Sequence, residues 1–180
     1  MRDLALATSV MSLFKGIPED LVSMESLWRH SVACGLAAKI LAKVRQCEAN
    51  VERFFTAGII HDIGRLVIYK RMPDTARKMI LRCKDSKEPL YSVEKEMLGF
   101  DHSDLGYMLA QSWNLPTSLK EVLAYHHFPL EARLYPVETC VIHIADYITH
   151  GMQFGNSGEQ YITPLDEKVW KLSGISASVL

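Results

Sequence analysis

Between Phe54 and Gly64 the chain reads Phe-Phe-Thr-Ala-Gly-Ile-Ile-His-Asp-Ile-Gly, an almost unbroken apolar run that carries His61 and Asp62 near its end. A segment of this kind has to be buried, and it takes an imidazole and a carboxylate inside with it. Desolvating such a pair without partners costs several kcal/mol, so the fold must bring partners to it. A metal ion is the commonest one. Further candidates stand along the chain in an order that can complete a site: His30 upstream, His102 and the His126-His127 pair downstream, and Asp146 last. Each is expected on a helix of its own.

Composition narrows the setting. A chain of 180 residues with 48% hydrophobic content buries roughly 70% of its unfolded surface and needs no staples, which predicts one soluble domain over residues 1–180. Twenty Lys and Arg against twenty-one Asp and Glu leave no global field for nucleic acid or an anionic membrane, so neither is an expected partner. Cys34, Cys47, Cys83 and Cys140 form no Cys-x-x-Cys pair and read as reduced thiols filling a core. No apolar stretch has the length of a membrane span, and Asp3 stands where a signal peptide wants only bases. The expected location is the cytoplasm.

Nearly every segment has the helical period and none alternates like a strand, which predicts an all-α bundle. The first clear helix runs from about Met24 to Arg45, with Trp28, Val32, Leu36, Ile40 and Val44 inward at four-residue steps and His30 on the wider face beside Ala33 and Ala37. The next, roughly Val51 to Tyr69, is apolar nearly all round; it is expected at the centre as one continuous helix carrying the doublet. Pro73-Asp74 starts a third, with Ala76, Met79, Ile80 and Cys83 inward, and Pro89 precedes a short one near Ser92 to Leu98. Asp101 is a good N-cap for a helix to Trp113 with His102 in its first turn. Pro116 opens a helix that ends at His126-His127 before Pro129. A strong helix follows from about Val137 to His150, offering Asp146 with His143 and His150 one turn to either side, and a modest one spans Asp166 to Leu172 beyond the Gly-rich stretch 151–158.

Neutral imidazole with ionised carboxylate suits Mn, Fe, Ni or Zn, and a carboxylate can bridge two ions where imidazole cannot. Asp62 is the natural bridge. Neighbours on a regular helix point about 100° apart, so His126 and His127 either face two metals or divide between metal and substrate. Two ions about 3.5–4 Å apart supply an activated water and charge for in-line displacement at phosphorus. Arg65, one turn past His61, is the best candidate for gripping a substrate phosphate, since a guanidinium holds two oxygens at once; its plainer role is an ion pair with a ligand carboxylate. The bases from Lys70 to Lys87 read as a solvated face. Taken alone, His30 on an apolar face reads as a satisfied core residue, and only the company of the other positions makes it a ligand.

The strings Leu27-Trp28-Arg29-His30-Ser31, Ala57 through Arg65, Trp113-Asn114-Leu115-Pro116, His126-His127-Phe128-Pro129 and Val141 through Asp146 together resemble an HDOD domain. That family comprises the metal-dependent-hydrolase-related output domains of bacterial signalling proteins, and it is similar to the HD-GYP cyclic-di-GMP phosphodiesterases of the wider HD superfamily. The resemblance runs from the first helix to about Ser176. It implies His30, His61, Asp62 and Asp146 as a metal quartet, with His102, His126 and His127 as the additional histidines of a site for more than one ion. Two departures weigh against cyclic-di-GMP hydrolysis: Arg65 stands where the HD-GYP pattern has Lys, and the Gly-Tyr-Pro motif after the histidine pair is missing. HDOD proteins usually carry a further helical half before the segment matched by Arg2 through Ala7, so the chain is expected to be the HD half of such a protein.

Two functions are compatible with these residues. One is a signalling domain with a retained site for one or two divalent transition-metal ions that hydrolyses a nucleotide or other phosphoester, with Asp62 and Arg65 in the chemistry. The other is a non-catalytic output module that binds a signalling protein or a signalling nucleotide.

Overall fold

In the computed structural model, residues 17–45 and 51–176 are described; Cys47 and the Arg2 to Ala7 segment lie outside them. The described residues fold as an all-α assembly: α1 (Met24–Val44), α2 (Val51–Ile60), α3 (Ile63–Arg71), α4 (Pro73–Ser86), α5 (Leu90–Leu98), α6 (His102–Ser112), α7 (Thr117–Tyr125), a 3₁₀ turn (Pro129–Glu131), α8 (Pro136–Gly151) and α9 (Glu167–Ser173). None of these helices is long and apolar enough to cross a membrane. Local chemistry places most of the boundaries. Ser23 caps α1 by accepting from the Ser26 N–H, and Asp101 caps α6 in a reciprocal capping box with Asp104. Asp166 caps α9.

α1 packs along both α2 and α8, while α6 packs on α3 and α7. The closeness of the first crossing is made by glycine. A Cβ on Gly58 would lie 2.7 Å from the Cα of Gly35, so the α1 and α2 backbones approach as no larger residue allows. That approach sets the His30 and His61 rings 5.4 Å apart. Gly64 does the same for α3 and α6, because a Cβ there would strike the His102 carbonyl.

Two expectations are corrected here. The helix expected from Val51 to Tyr69 breaks at the doublet: α2 ends at Ile60, and Asp62 sits in a turn (φ −93°, ψ 13°) before α3 begins. The break frees the two side chains from the 100° divergence of neighbours on a helix, so His61 and Asp62 face one cavity. The inward face of α1 also differs. Leu27, His30, Ser31, Cys34, Gly35, Ala38, Leu41 and Ala42 are buried, whereas Leu36 and Ile40 are 49% and 59% exposed. The apolar row Trp28, Val32, Leu36, Ile40 instead lines a surface groove of about 500 Å³ with Ile148, Met152 and Phe154. The buried face is the more polar one because it holds part of the site.

Candidate metal centre

His30 comes from α1, His61 and Asp62 from the α2–α3 turn, His102 from the first turn of α6, His126 and His127 from the end of α7, and Asp146 from α8. All of the expected metal-site residues meet in one cleft. Asp62 stands at its middle with its oxygens divided: Oδ2 is 3.4 Å from Nε2 of His61 and 3.7 Å from Nε2 of His30, while Oδ1 is 3.2 Å from Nε2 of His102 and 3.9 Å from Nε2 of His126. Asp146 Oδ1 lies 3.1 Å from Nε2 of His30 and 3.4 Å from Nε2 of His61. His150 joins the same carboxylate at 3.3 Å.

These distances are short, yet Nε2 of His30 and His61 and Oδ1 of Asp62 and Asp146 make no directed hydrogen bond and are buried. The atoms converge on shared points rather than on one another. That is how ligands are arranged around an ion, and buried polar atoms left so are otherwise rare.

The tautomers lead to the same place. The Nδ1 of His61 lies 2.7 Å from the Gly58 carbonyl and that of His126 3.1 Å from the Leu123 carbonyl. A carbonyl only accepts, so both Nδ1 atoms carry the hydrogen and both Nε2 atoms point into the cleft. His126 presents a lone pair there, whereas for His61 burial acts downward but Asp62 and Asp146 raise the ring well above the ordinary range, so its lone pair is free once the Nε2 proton leaves. Nδ1 of His102 likewise donates to Glu94 Oε2 at 2.6 Å. Yet Nε2 of His102 lies 3.2 Å from Nε2 of His126 and 2.8 Å from Nε2 of His127. Lone pairs this close repel unless a proton or a cation stands among them. Imidazoles anchored behind by a carboxylate or carbonyl are the usual arrangement of metal-binding histidines.

Charge follows the same pattern. Burial lowers the His126 and His127 imidazoles well below the ordinary range, and neighbouring histidines add to the effect. For His102 burial acts downward too, but Glu94 and Asp62 together raise the ring to about 9. Burial would raise Asp62 and Asp146; instead the cations and imidazoles around them, Arg65 foremost for Asp62 and His150 for Asp146, hold both carboxyls well below the usual range. Both are anionic ligand groups at neutral pH.

Among the described residues, four overlapping subsets of side chains could each hold an ion, the ligating atoms of each within 4.8 Å of one another: Asp62, His102, His126 and His127; His30, His61 and Asp62; His30, Asp146 and His150; and Cys34, His61 and Asp146. His126 and His127 fall in one subset because α7 stops at Tyr125; they sit in a turn, and the divergence expected of helical neighbours does not apply. His143 supports that turn by donating from Nδ1 to the His126 carbonyl at 2.6 Å.

Arg65 is 1% exposed, with Nε 3.2 Å from Asp62 Oδ1, Nη2 3.2 Å from Glu159 Oε2 and Nη1 donating to Ser157. In this arrangement the guanidinium makes the plainer ion pair with the Asp62 carboxylate and is covered by Ser157 and Glu159. The partners that enclose it were not singled out in the sequence. Glu94 sits among the hydrophobic residues of α5 and is wholly buried; a Glu eight residues before His102 was the available signal. Ser157 and Glu159 belong to a strap after α8, fastened by Tyr69, whose hydroxyl donates to the Ser157 carbonyl at 2.6 Å, and by the Leu90 N–H donating to Glu159. The Gly-rich composition read only as a break.

Comparison with known proteins agrees with this architecture. An HDOD domain protein of unknown function from Geobacter sulfurreducens superimposes with a TM-score of 0.80 over 96% of the chain, at 23% identity. A candidate phosphohydrolase from Shewanella amazonensis does so with 0.74 over 97%, at 24% identity. The chain spans 59% and 62% of those two proteins. An uncharacterized protein of Treponema pallidum (strain Nichols) is 26% identical over 103 residues, 57% of this chain and 20% of that protein. The sequence profile of the HDOD domain matches residues 1–129, from before α1 through the histidine pair; Asp146 lies beyond that span and joins the site through the fold. With the match covering most of its length, the chain belongs to the HDOD family.

Proposed function

We propose that this HDOD domain holds two divalent transition-metal ions, with Asp62 shared between them, and that it acts on a phosphoester in bacterial signalling. The observation carrying the proposal is the set of buried ring nitrogens and carboxylate oxygens that converge without hydrogen bonds. His30, His61, Asp62 and Asp146 would hold one ion, and Asp62, His102, His126 and His127 the other. Such a pair supplies an activated water and charge for displacement at phosphorus. The remaining work belongs to the protein: Arg65 fixes the Asp62 carboxylate, Glu94 and the Gly58 and Leu123 carbonyls fix three imidazoles, and the strap shields the cleft from water. The Shewanella relative described as a candidate phosphohydrolase is in keeping with this. Free, buried Cys34, Cys83 and Cys140 fit a reducing cytoplasm.

One observation favours the non-catalytic reading. The opening beside His127 and Asp146, closed by Tyr91, Tyr147, Glu159 and Tyr161, encloses only about 20 Å³, room for about one water. A phosphoester reaches the cleft only if the strap moves, by way of the wider depression of about 370 Å³ between Tyr91, Phe128, Leu130 and Thr163. The test is hydrolysis of bis(p-nitrophenyl) phosphate and of a nucleotide panel by protein loaded in turn with Mn, Fe, Ni and Zn. Turnover lost in Asp62→Ala supports catalysis. Absence of turnover from fully loaded protein assigns the domain to binding a signalling nucleotide or protein partner.

A further inference from the structure

Cys34 lies one helical turn beyond His30 on α1, with no exposed surface. The sequence suggests nothing beyond core filling. In the fold, its Sγ, a ring nitrogen of His61 and a carboxylate oxygen of Asp146 all lie within 4.8 Å of one another. Independently of the sulfur, Nε2 of the wholly buried His61 and Oδ1 of Asp146 are among the atoms that lack any hydrogen-bond partner. Filling space at this turn does not require sulfur: one and two turns further along the same face the chain uses Ala38 and Ala42, equally buried. A thiol in this place adds one chemical property, a soft donor.

We infer that Cys34 is a ligand, as thiolate, to the ion held by His30, His61, Asp62 and Asp146, and that it tunes this subsite toward thiophilic cations. The inference rests on the metal-centre reading above. On binding, the S–H bond breaks, the proton leaves to buffer, and the sulfur keeps its electron pair and donates it to the cation; no oxidant or reductant is involved. Thiolate selects ions such as Zn(II), Cd(II) and Co(II) over Mn(II) and Mg(II), whereas imidazole and carboxylate alone discriminate less. The second subsite, Asp62 with His102, His126 and His127, has nitrogen and oxygen donors only. The two halves of the centre thus differ in softness, and the chain sorts two different metals between them.

Cobalt substitution reads this out directly on the whole chain. Co(II)-loaded protein is expected to show a thiolate-to-cobalt charge-transfer band in the near ultraviolet. The band disappears in Cys34→Ser while cobalt content by elemental analysis and helicity by circular dichroism are retained. In competition titrations, Cys34→Ser and Cys34→Ala weaken Cd(II) binding by at least about tenfold and leave Mn(II) binding unchanged. Bound cobalt without a charge-transfer band in the unmodified chain overturns the role of Cys34 and leaves the metal centre standing. Absence of bound cobalt overturns both. A band that survives in Cys34→Ser assigns the sulfur to another cysteine and likewise overturns the inference.

Discussion

Glu94 is wholly buried and holds His102, a residue of the proposed centre. Its carboxylate takes both the Nδ1 hydrogen and the backbone N–H of His102, at 2.6 and 2.9 Å, fixing the ring and making Nε2 a stronger donor. Glu94→Gln keeps the volume and removes the charge, so metal affinity should fall about 10–100-fold with helicity unchanged; equal affinity in a chelator competition contradicts the role. The same pair gives a pH signature. Burial lowers His102, and Glu94 and Asp62 together raise it to a net value of about 9, above the ordinary value of about 6.5. In metal-free protein that proton is a stabilising guest, its contribution complete below about pH 6.5 and lost as pH rises through 9. A metal must displace it, so affinity should climb with pH and level off near 9; a pH-independent affinity between 6.5 and 9 contradicts this. Among single residues, the candidate ligands can be picked out in the sequence chiefly because histidine is confined to seven positions. The anchors cannot, since Glu94, Ser157 and Glu159 look like ordinary surface residues until the fold encloses them.

Helix ends are legible where a local cap makes them, as at Asp101 and Asp166. The break between α2 and α3 is not, because apolar residues continue on both sides of the doublet and the cause lies in the cleft the turn serves. The inward face of α1 is hidden for a related reason. Its row of large apolar residues outweighs, by hydropathy, a face that carries His30, Ser31 and Gly35 to the site and to the α2 crossing. Glycine makes the elements converge, which gives a prediction at this scale. Gly64→Ala drives a methyl into the His102 carbonyl, an overpacking worth about 1–3 kcal/mol that should lower the melting temperature by several degrees. Because the displaced backbone belongs to a ligand, metal affinity should drop with it. Unchanged thermal stability and affinity in this variant contradict the proposed close contact.

Across the whole molecule, the proposed ligands come from α1, the α2–α3 turn, α6, the end of α7 and α8, so a bound metal would tie together segments far apart in sequence. Metal-free protein carries buried carboxylates and imidazoles whose charges are offset by Arg65 and by bound protons. Loading at a hundredfold excess over Kd should stabilise the fold by about 2.7 kcal/mol, raising the melting temperature by about 5–10 °C, with chelation reversing the rise. The all-α class follows from periodicity, while the set of candidate site residues is what the resemblance to the HDOD family implies. Their convergence needs the fold, and Asp62, divided between His30 and His61 on one side and His102 and His126 on the other, is where it centres. Elemental analysis of the purified chain beside Asp62→Ala tests that most directly. The account predicts two transition-metal ions per unmodified chain and none in the variant. An unmodified chain that takes up no transition metal when saturated, or a variant that keeps both ions, contradicts it.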